Sequence, residues 1–385
     1  MSWNWQQPDW PQFTWENSRL ALAEREFLLA GGMLAGTVKH VKVDERDELI
    51  VEAMSTEAVT TSEIEGEVLD RASVQSSIRK QLGLAVDNRR VGPAEQGVAE
   101  MMVDLYRSFA APLCEEMLFA WHRMLMAGRR DLAEIGCYRT SEEPMQIVSG
   151  ALGELKVHYE APPSSKVPGE MTRFIEWFSR TAPGGTEPLL PLTRAGIAHL
   201  YFECIHPFAD GNGRIGRAIA EKSLAQSLGQ PTLIALAATI LSRRKSYYEA
   251  LGAANRQNEI TGWLAWFAGA VIEAQRRALA VTEFLINKAK LFDRLKGQIN
   301  ERQEKALARM FKEGPEGFKG GMSAGKYATI TGASPATTTR DLVDLVEKGA
   351  IVRSGELRHA RYHLNLPLQI MKHVTVNERG ELEES

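Results

Sequence analysis

The sequence contains few cysteines and no long run of apolar residues. Its three cysteines, Cys114, Cys137 and Cys204, are odd in number and too widely spaced for a CxxC metal site, which favours a reducing compartment. No stretch of about 18 consecutive apolar residues occurs, and the first residues lack the basic start and the apolar segment of a signal peptide. We therefore expect a cytoplasmic protein that has no membrane partner.

A strong excess of either charge is also lacking. The net charge of -3 and the pI near 6.3 give no overall bias toward nucleic acid or an anionic membrane, so such a partner would need a local basic patch. The 44% of hydrophobic and 25% of charged residues are typical of a soluble globular protein, and 385 residues are enough for two or three domains. Internal repeats and low-complexity tracts are missing too.

The hydrophobic pattern predicts a mainly α-helical protein. Apolar residues at three-to-four spacing recur along most of the chain, and a turn-rich segment with β-branched residues at 138–171 predicts a β-hairpin. Two short helices around a glycine turn, followed by a hairpin-like segment, predict a winged helix-turn-helix. The expected parts are an N-terminal helical region (1–95), a helical core (96–285), the winged helix (286–370) and a loose acidic tail (371–385).

The segment "ECIHPFADGNGRIGRAIAEK", residues 203–222, places a polar cluster between two apolar helical patterns. If one helix ends near His206 and the next begins near Asn212, Gly211 and Gly213 allow a tight turn between them. The N–H groups at the start of the second helix would then form an anion site that the helix dipole strengthens. This segment therefore predicts a phosphate cradle.

The charged residues of the same cluster complete a site for phosphoryl or nucleotidyl transfer. Arg214 and Arg217 lie three apart on one helical face, where they could hold further phosphate oxygens. Asp210 offers the single hard oxygen ligand that suits Mg²⁺, and His206 is a candidate base for a hydroxyl nucleophile. A plain helix-loop-helix corner, with Asp210 and Asn212 as caps, is the alternative.

The motif "HPFADGNGRIGR" resembles the Fic-family active-site motif HxFx[D/E]GNGRxxR at every specified position. The resemblance implies a helical Fic core that transfers AMP from ATP, with Mg²⁺ or alternatively Mn²⁺, to a Ser, Thr or Tyr hydroxyl of a protein or of the chain itself. It makes His206 the general base, Asp210 the metal ligand and Phe208 a buried wedge. The implied ATP-binding residues of the motif are Asp210, Gly211, Asn212, Gly213, Arg214, Ile215, Gly216 and Arg217.

Two further segments resemble parts of the same family. "VHYEAPP" is similar to the family's flap, a hairpin that aligns a target segment by β-addition, although an ordinary surface hairpin is the alternative. Tyr247, Tyr248 and Asn255 match positions that line the adenine pocket, although paired tyrosines on a helix are often core residues. The flap residues implied at the nucleotide are Val157, His158, Tyr159 and Glu160.

The segment "TTSEIEGE" at 60–67 resembles the family's inhibitory motif [S/T]xxxE[G/N], with Thr61, Glu65 and Gly66 at the matching positions. The resemblance implies that Glu65 pairs with Arg217 and misplaces the triphosphate of ATP. Ser62 and Glu65 also fit a helix capping box, which is the alternative interpretation.

Three rival functions stay open at this stage. The C-terminal module could bind DNA or protein, with Lys326, Arg340, Arg353, Arg358 and Arg361 offset by Asp341, Asp344, Glu347 and Glu356. The chain could therefore be a DNA-binding regulator that uses the Fic core as a nucleotide sensor. It could also remove AMP from modified proteins, or transfer another phosphate-containing group. Expected partners are ATP and a protein substrate, with DNA and a second copy of the chain as open alternatives.

Overall fold

The computed structural model describes residues 2–85, 89–149, 156–314, 317–318, 320–366 and 372–385. The chain divides into a larger unit of residues 1–36, 46–276 and 373–385, and a smaller unit of residues 37–45 and 277–372. Most of the expected N-terminal region and of the expected helical core lie in the larger unit, whereas residues 37–45 and 277–285 belong to the smaller unit.

The fold is mainly helical, as the sequence predicted. The helices are α1 (Asn17–His40), α2 (Val43–Ile64), α3 (Arg71–Leu82), α4 (Pro93–Ser108), α5 (Glu115–Leu125), α6 (Val167–Arg180), α7 (Pro191–Ile205), α8 (Asn212–Leu228), α9 (Leu236–Ser242), α10 (Arg244–Ala254), α11 (Thr261–Leu295), α12 (Glu301–Phe311), α13 (Ala324–Thr331) and α14 (Pro335–Glu347). Three antiparallel pairs join β1 (Gln146–Ser149) to β2 (Lys156–Glu160), β3 (Ile351–Ser354) to β4 (Arg361–Leu364), and β5 (Val374–Val376) to β6 (Leu382–Glu384). Among the described residues, none of the helices has the length and apolar character that a membrane span needs.

Helix α7 lies at the centre of the larger unit. Nearly all of its side chains are buried, which explains why its apolar residues are not confined to one face. Pro191 occupies its first turn, where a missing N–H costs nothing, and the Glu24 carboxylate accepts hydrogen bonds from the N–H groups of Leu192 (3.0 Å) and Thr193 (2.8 Å). This cap satisfies helix donors that burial would otherwise leave unpaired, and it fixes the helix whose C-terminal end carries His206.

The tryptophan-rich N-terminal arm packs beside the flap. Trp5 donates its indole N–H to the carbonyl of Glu160 at 2.7 Å, and the ring of Trp3 meets Tyr159 edge to face at 5.2 Å. The Asn4 N–H also donates to the carbonyl of Asn255 at 2.9 Å. The arm therefore supports β2 and the end of α10 together.

The flap hairpin lies at the predicted position. Strands β1 and β2 pair antiparallel, with an irregular register between Ile147 and Val148. Residues 150–155, which the sequence analysis placed in the same hairpin, lie outside the described residues.

The smaller unit has its own core and the expected order of elements. Helices α12, α13 and α14 precede the β3–β4 hairpin, and Gly332 turns the chain after α13 at φ 73°. Met322 forms a further bridge to Tyr362 of β4. The winged-helix assignment stays a prediction, to which this order corresponds.

The expectation of a loose C-terminal tail is wrong. Residues 374–384 form the β5–β6 hairpin within the larger unit, and the Glu273 carboxylate of α11 accepts a hydrogen bond from the Val374 N–H at 3.1 Å. Arg243 donates to the Val374 carbonyl at 2.8 Å. The acidic composition of this segment concealed the alternating valines that anchor it.

Candidate active site

The turn between α7 and α8 adopts the geometry that the glycine pattern predicted. Helix α7 ends at Ile205, and His206 comes next in the left-handed region at φ 50° with its N–H bonded to the Phe202 carbonyl at 2.9 Å. Gly211 has a φ of 81°, and a Cβ there would lie 2.8 Å from Cε of Met126. Glycine is thus needed at position 211 both for its conformation and for space.

The side chain of Asn212 holds this turn closed. Its Oδ1 accepts a hydrogen bond from the Phe208 N–H at 2.9 Å, and its Nδ2 donates to the Phe208 carbonyl at 2.8 Å. Phe208 is fully buried and stacks on His122 with 4.2 Å between ring centroids. The Asn212 side chain is therefore occupied, which leaves its backbone N–H for the expected phosphate cradle.

The imidazole of His206 has the neutral protonation state that a general base needs. Its Nδ1 lies 3.3 Å from the carbonyl oxygen of Glu203, so a proton on Nδ1 leaves Nε2 with a lone pair. Burial lowers the pKa of His206 to about 4, so that the ring is neutral at neutral pH. Arg139, which the sequence analysis missed, donates from Nε to the His206 carbonyl at 2.8 Å and fixes the backbone.

One cavity of about 720 Å³ collects most of the predicted residues. It lies among the start of α8, strand β2 and helix α10, with His206 and Glu65 both at its wall. The predicted site residues that line it are Glu65, Val157, His158, Tyr159, His206, Asp210, Gly211, Asn212, Gly213, Arg217, Tyr247, Tyr248 and Asn255.

The remaining predicted residues do not line the cavity. Ile215 is a fully buried core residue, and a Cβ at Gly216 would lie 2.5 Å from Oε1 of Glu203. Glu160 faces away, since its carboxylate accepts a hydrogen bond from Gln146 at 2.7 Å. The predicted residues that do not line the cavity are Thr61, Gly66, Glu160, Arg214, Ile215 and Gly216.

The segment that resembles an inhibitory motif lies directly on Arg217. Oε1 of Glu65 is 2.6 Å from Nη2 of Arg217, while Thr61 accepts hydrogen bonds from Arg217 through its hydroxyl (2.7 Å) and its carbonyl (2.9 Å). A Cβ at Gly213 would lie 2.1 Å from Oε1 of Glu65, so only glycine leaves room for this carboxylate. The capping-box interpretation is wrong, because Ser62 lies in the last turn of α2 rather than before a helix.

A second carboxylate, Glu67, holds the other arginine of the motif. Oε2 of Glu67 is 2.7 Å from Nη1 of Arg214, whose side chain is only 6% exposed. Arg214 therefore faces Glu67 instead of the cavity. The sequence analysis missed Glu67, although its position two residues after Glu65 could have indicated a repeated contact.

Asp210, the expected metal ligand, is paired with Arg129. Oδ2 of Asp210 accepts a hydrogen bond from Nη1 of Arg129 at 2.7 Å, and Oδ1 accepts one from the Gly211 N–H at 2.5 Å. Within the described residues, no group of three or more His, Cys, Asp or Glu side chains could hold a metal ion. A single half-exposed carboxylate fits Mg²⁺ that arrives with nucleotide phosphates, because Mg²⁺ needs few protein ligands.

Two tyrosines of α10 also line the cavity. Tyr247 is buried and its hydroxyl lies 2.8 Å from Nε2 of His199, whereas Tyr248 is 44% exposed. Oδ1 of Asn255 accepts a hydrogen bond from the thiol of Cys204 at 3.3 Å. An aromatic wall with polar groups at its edge can hold a planar base by stacking.

A neutral histidine, the glycine-lined start of α8 and a buried arginine surround one cavity, an arrangement that can hold phosphate groups. Residues 112–224 match the Fic/DOC family, and the chain therefore contains a Fic/DOC-family domain. Residues 3–84, which include α1, α2 and most of α3, match a second family described as a domain of unknown function (DUF4172).

Relatives of known name are similar over part of the chain. The protein adenylyltransferases fic-1 of Caenorhabditis briggsae and Caenorhabditis elegans are each 30% identical over 134 residues, which is 35% of this chain. The match spans 22% of the length of these curated relatives. The crystal structure of a Fic family protein from Desulfovibrio desulfuricans G20 has a TM-score of 0.50 and 24% identity, covers 90% of this chain and 97% of that chain, and supports the fold alone.

Proposed function

We propose that this chain is a protein adenylyltransferase. The hydroxyl of a Ser, Thr or Tyr side chain on a target protein attacks the α-phosphorus of ATP, an O–P bond forms, and pyrophosphate leaves. Nε2 of His206 takes the hydroxyl proton and later releases it to water. Mg²⁺, when bound with ATP, would neutralise phosphate charge near Asp210.

The observation that best supports this proposal is the shared cavity of His206, Arg217 and the α8 start. A neutral imidazole, two glycines that let phosphates approach the backbone, and a guanidinium group suit a triphosphate in line with a nucleophile. The similarity of part of the chain to fic-1 adenylyltransferases points to the same reaction. The flap strand β2 is exposed at Val157, where a target segment could pair with it.

The test is intact-mass spectrometry of the protein after incubation with ATP and Mg²⁺, with self-modification as the readout. The Glu65→Gly variant is used because the wild-type chain is expected to be inhibited. We expect the addition of AMP, and we expect His206→Ala in the same background to abolish it. Unchanged mass in both variants, even with added candidate target proteins, would reject the proposal.

The contacts of Glu65 support autoinhibition as part of this function. Its carboxylate occupies the guanidinium group that would bind the terminal phosphates, so ATP could enter the cavity with its triphosphate misplaced. Removal of AMP from modified proteins is the rival outcome, since a carboxylate at this position could orient water. Incubation with an AMP-modified protein tests it, because loss of the label would favour the reverse reaction.

We further propose that the smaller unit binds duplex DNA. Two of the four acidic residues that oppose this function have a basic partner, since Asp341 is buried against Arg302 at 3.0 Å and Asp344 pairs with Lys348 at 2.5 Å, whereas Glu347 and Glu356 are exposed. Arg340 and Arg353 are also exposed, on α14 and β3. A mobility-shift titration at several salt concentrations should show binding that Arg340→Ala weakens. Absence of binding at low salt would favour a protein partner.

A further inference from the structure

Glu203 is a buried carboxyl group in the cavity wall to which neither the motif nor the comparisons give a role. It lies in the last turn of α7, three residues before His206, and its side chain is 11% exposed. Its Oε2 lies 3.8 Å from Nδ1 of His206. Its Oε1 has no hydrogen-bond partner among the described residues.

The packing around Glu203 leaves room for a carboxyl group but does not satisfy it. Position 216 of α8 is glycine, and a Cβ there would come within 2.5 Å of Oε1 of Glu203. A buried carboxyl with an unpaired oxygen costs free energy that a leucine or methionine at this position would avoid. The presence of Glu203 is therefore not explained by a contribution to the stability of the fold. Its position beside His206 does explain it.

We propose that Glu203 is a positioning residue for His206, a role that rests on the proposed AMP transfer. Its carboxyl group keeps Nδ1 of the imidazole turned toward the end of α7, where the long 3.3 Å contact to the Glu203 carbonyl alone would hold it weakly. When Nε2 takes the proton of the target hydroxyl, the ring becomes positively charged. A carboxylate at 3.8 Å then stabilises that charge, as an acid does behind a catalytic histidine.

The same geometry connects the base to the inhibitory segment. Burial and then the charge of Glu65 raise the pKa of Glu203 to about 8, while Arg217 acts in the opposite direction. Two further groups face the same space: His199 contacts Gly216 beside Glu203, and the hydroxyl of Tyr247 contacts His199. With Glu65 in place, Glu203 is protonated at neutral pH and cannot support an imidazolium. Departure of Glu65 favours the ionised form of Glu203. Displacement of the inhibitory segment would therefore both release Arg217 and strengthen His206 as a base.

The test compares Glu65→Gly with Glu65→Gly/Glu203→Gln in steady-state AMP transfer across pH. We expect kcat at neutral pH to fall about tenfold or more and the KM for ATP to change less than about twofold. The rise of kcat with pH that ionisation of Glu203 gives in Glu65→Gly should be absent in the glutamine variant. Glu65→Gly/Glu203→Asp should recover part of the loss. Glu170→Gln in the same background is the control, since Glu170 is a buried carboxylate of α6 that does not line the cavity.

A second measurement does not depend on turnover. The chemical shifts of the His206 ring are followed across pH by NMR of ¹³C-labelled histidine in Glu65→Gly, with His206→Ala as the assignment control, and we expect a step from ionisation of Glu203 that the glutamine variant lacks. A shift titration that the glutamine variant leaves unchanged, or a fall of kcat that accompanies lost thermal stability with an unchanged pH profile, would overturn the role of Glu203. Absent AMP transfer in Glu65→Gly would instead reject the proposed function, and the histidine titration would still decide the contact.

Discussion

Asp210 is not simply an open carboxylate at the cavity. Arg129 donates to it from Nη1 while the same guanidinium holds Asp131 through Nε at 2.7 Å and Nη2 at 2.6 Å. A metal ion at Asp210 must compete with this fixed positive charge, because both need the same carboxylate oxygen. Arg129 therefore acts as an occupant of the expected metal site.

Replacing Arg129 should strengthen metal binding. In Arg129→Ala, Oδ2 of Asp210 loses its partner, and we expect Mn²⁺ to bind the complex with a non-hydrolysable ATP analogue about three- to tenfold more tightly, as removal of a close like charge implies. Calorimetric titration with Mn²⁺ measures this affinity. Arg130→Ala, which removes the adjacent exposed arginine, is the control, and equal affinities in all three proteins would contradict the prediction.

Residues that act through local spacing could be predicted from the sequence, whereas those brought in by packing could not. His206, Gly211 and Arg217 could be identified from helix periodicity and a glycine turn within twelve positions. Arg129 and Arg139 reach the same turn from loops that are remote in sequence, so no spacing rule marks them. Their ion pairs and carbonyl contacts exist only once the helices have packed.

At the scale of elements, the segment that follows α2 places two carboxylates on the arginines of α8. Glu65 holds Arg217 at 2.6 Å and Glu67 holds Arg214 at 2.7 Å, so both arginines of the motif are neutralised by one short segment. Gly66 turns the chain between them at φ 86°, and this turn directs the two carboxylates to two partners one helical turn apart.

Release of AMP-transfer activity should therefore occur in two steps. We expect Glu65→Gly to raise the rate most, since Arg217 lines the cavity, and Glu67→Gln alone to raise it by a factor of a few. The Glu65→Gly/Glu67→Gln variant, in which both arginines lose their carboxylate partners, should have the highest rate. The rate of AMP transfer is measured with labelled ATP and gel analysis. Glu63→Gln is the control, since Glu63 is an exposed neighbour in α2. A double variant no faster than Glu65→Gly would show that Glu67 has no inhibitory role.

At the scale of the whole molecule, each of the two compact units is assembled from segments that are distant in the sequence. The change in composition near residue 95 marks no boundary, because α2 packs its buried face into the same core as α4 and α8. Helix α11 is 35 residues long and continues past the limit of the larger unit, so no turn signal marks the start of the smaller unit. Compactness depends on contacts between distant segments, which periodicity cannot reveal.

A buried carboxyl pair in this shared core predicts how stability depends on pH. Glu57 of α2 and Glu221 of α8 line one small cavity. Burial and then Glu221 raise the pKa of Glu57 to about 8, while the Ala237 N–H at 2.7 Å and Arg217 act against this rise. Burial raises the pKa of Glu221 to about 7, opposed by the Thr232 hydroxyl at 3.1 Å.

The folded protein should therefore lose stability as the pH rises through neutrality. Glutamates of the unfolded chain titrate near about 4.3, so between about pH 5 and 8 this pair binds more protons in the folded state than in the unfolded state, and its contribution to the free energy of unfolding falls with rising pH. Burial lowers the pKa of His122, His199 and His206 to about 4, which acts in the opposite direction below about pH 6.5, so the slope is read between about pH 7 and 8. Urea unfolding at a series of pH values measures this slope. Glu57→Gln stays neutral at every pH and should flatten it, whereas the exposed Glu63→Gln should not; a slope that Glu57→Gln leaves unchanged would mean that this carboxyl group ionises freely in the folded core.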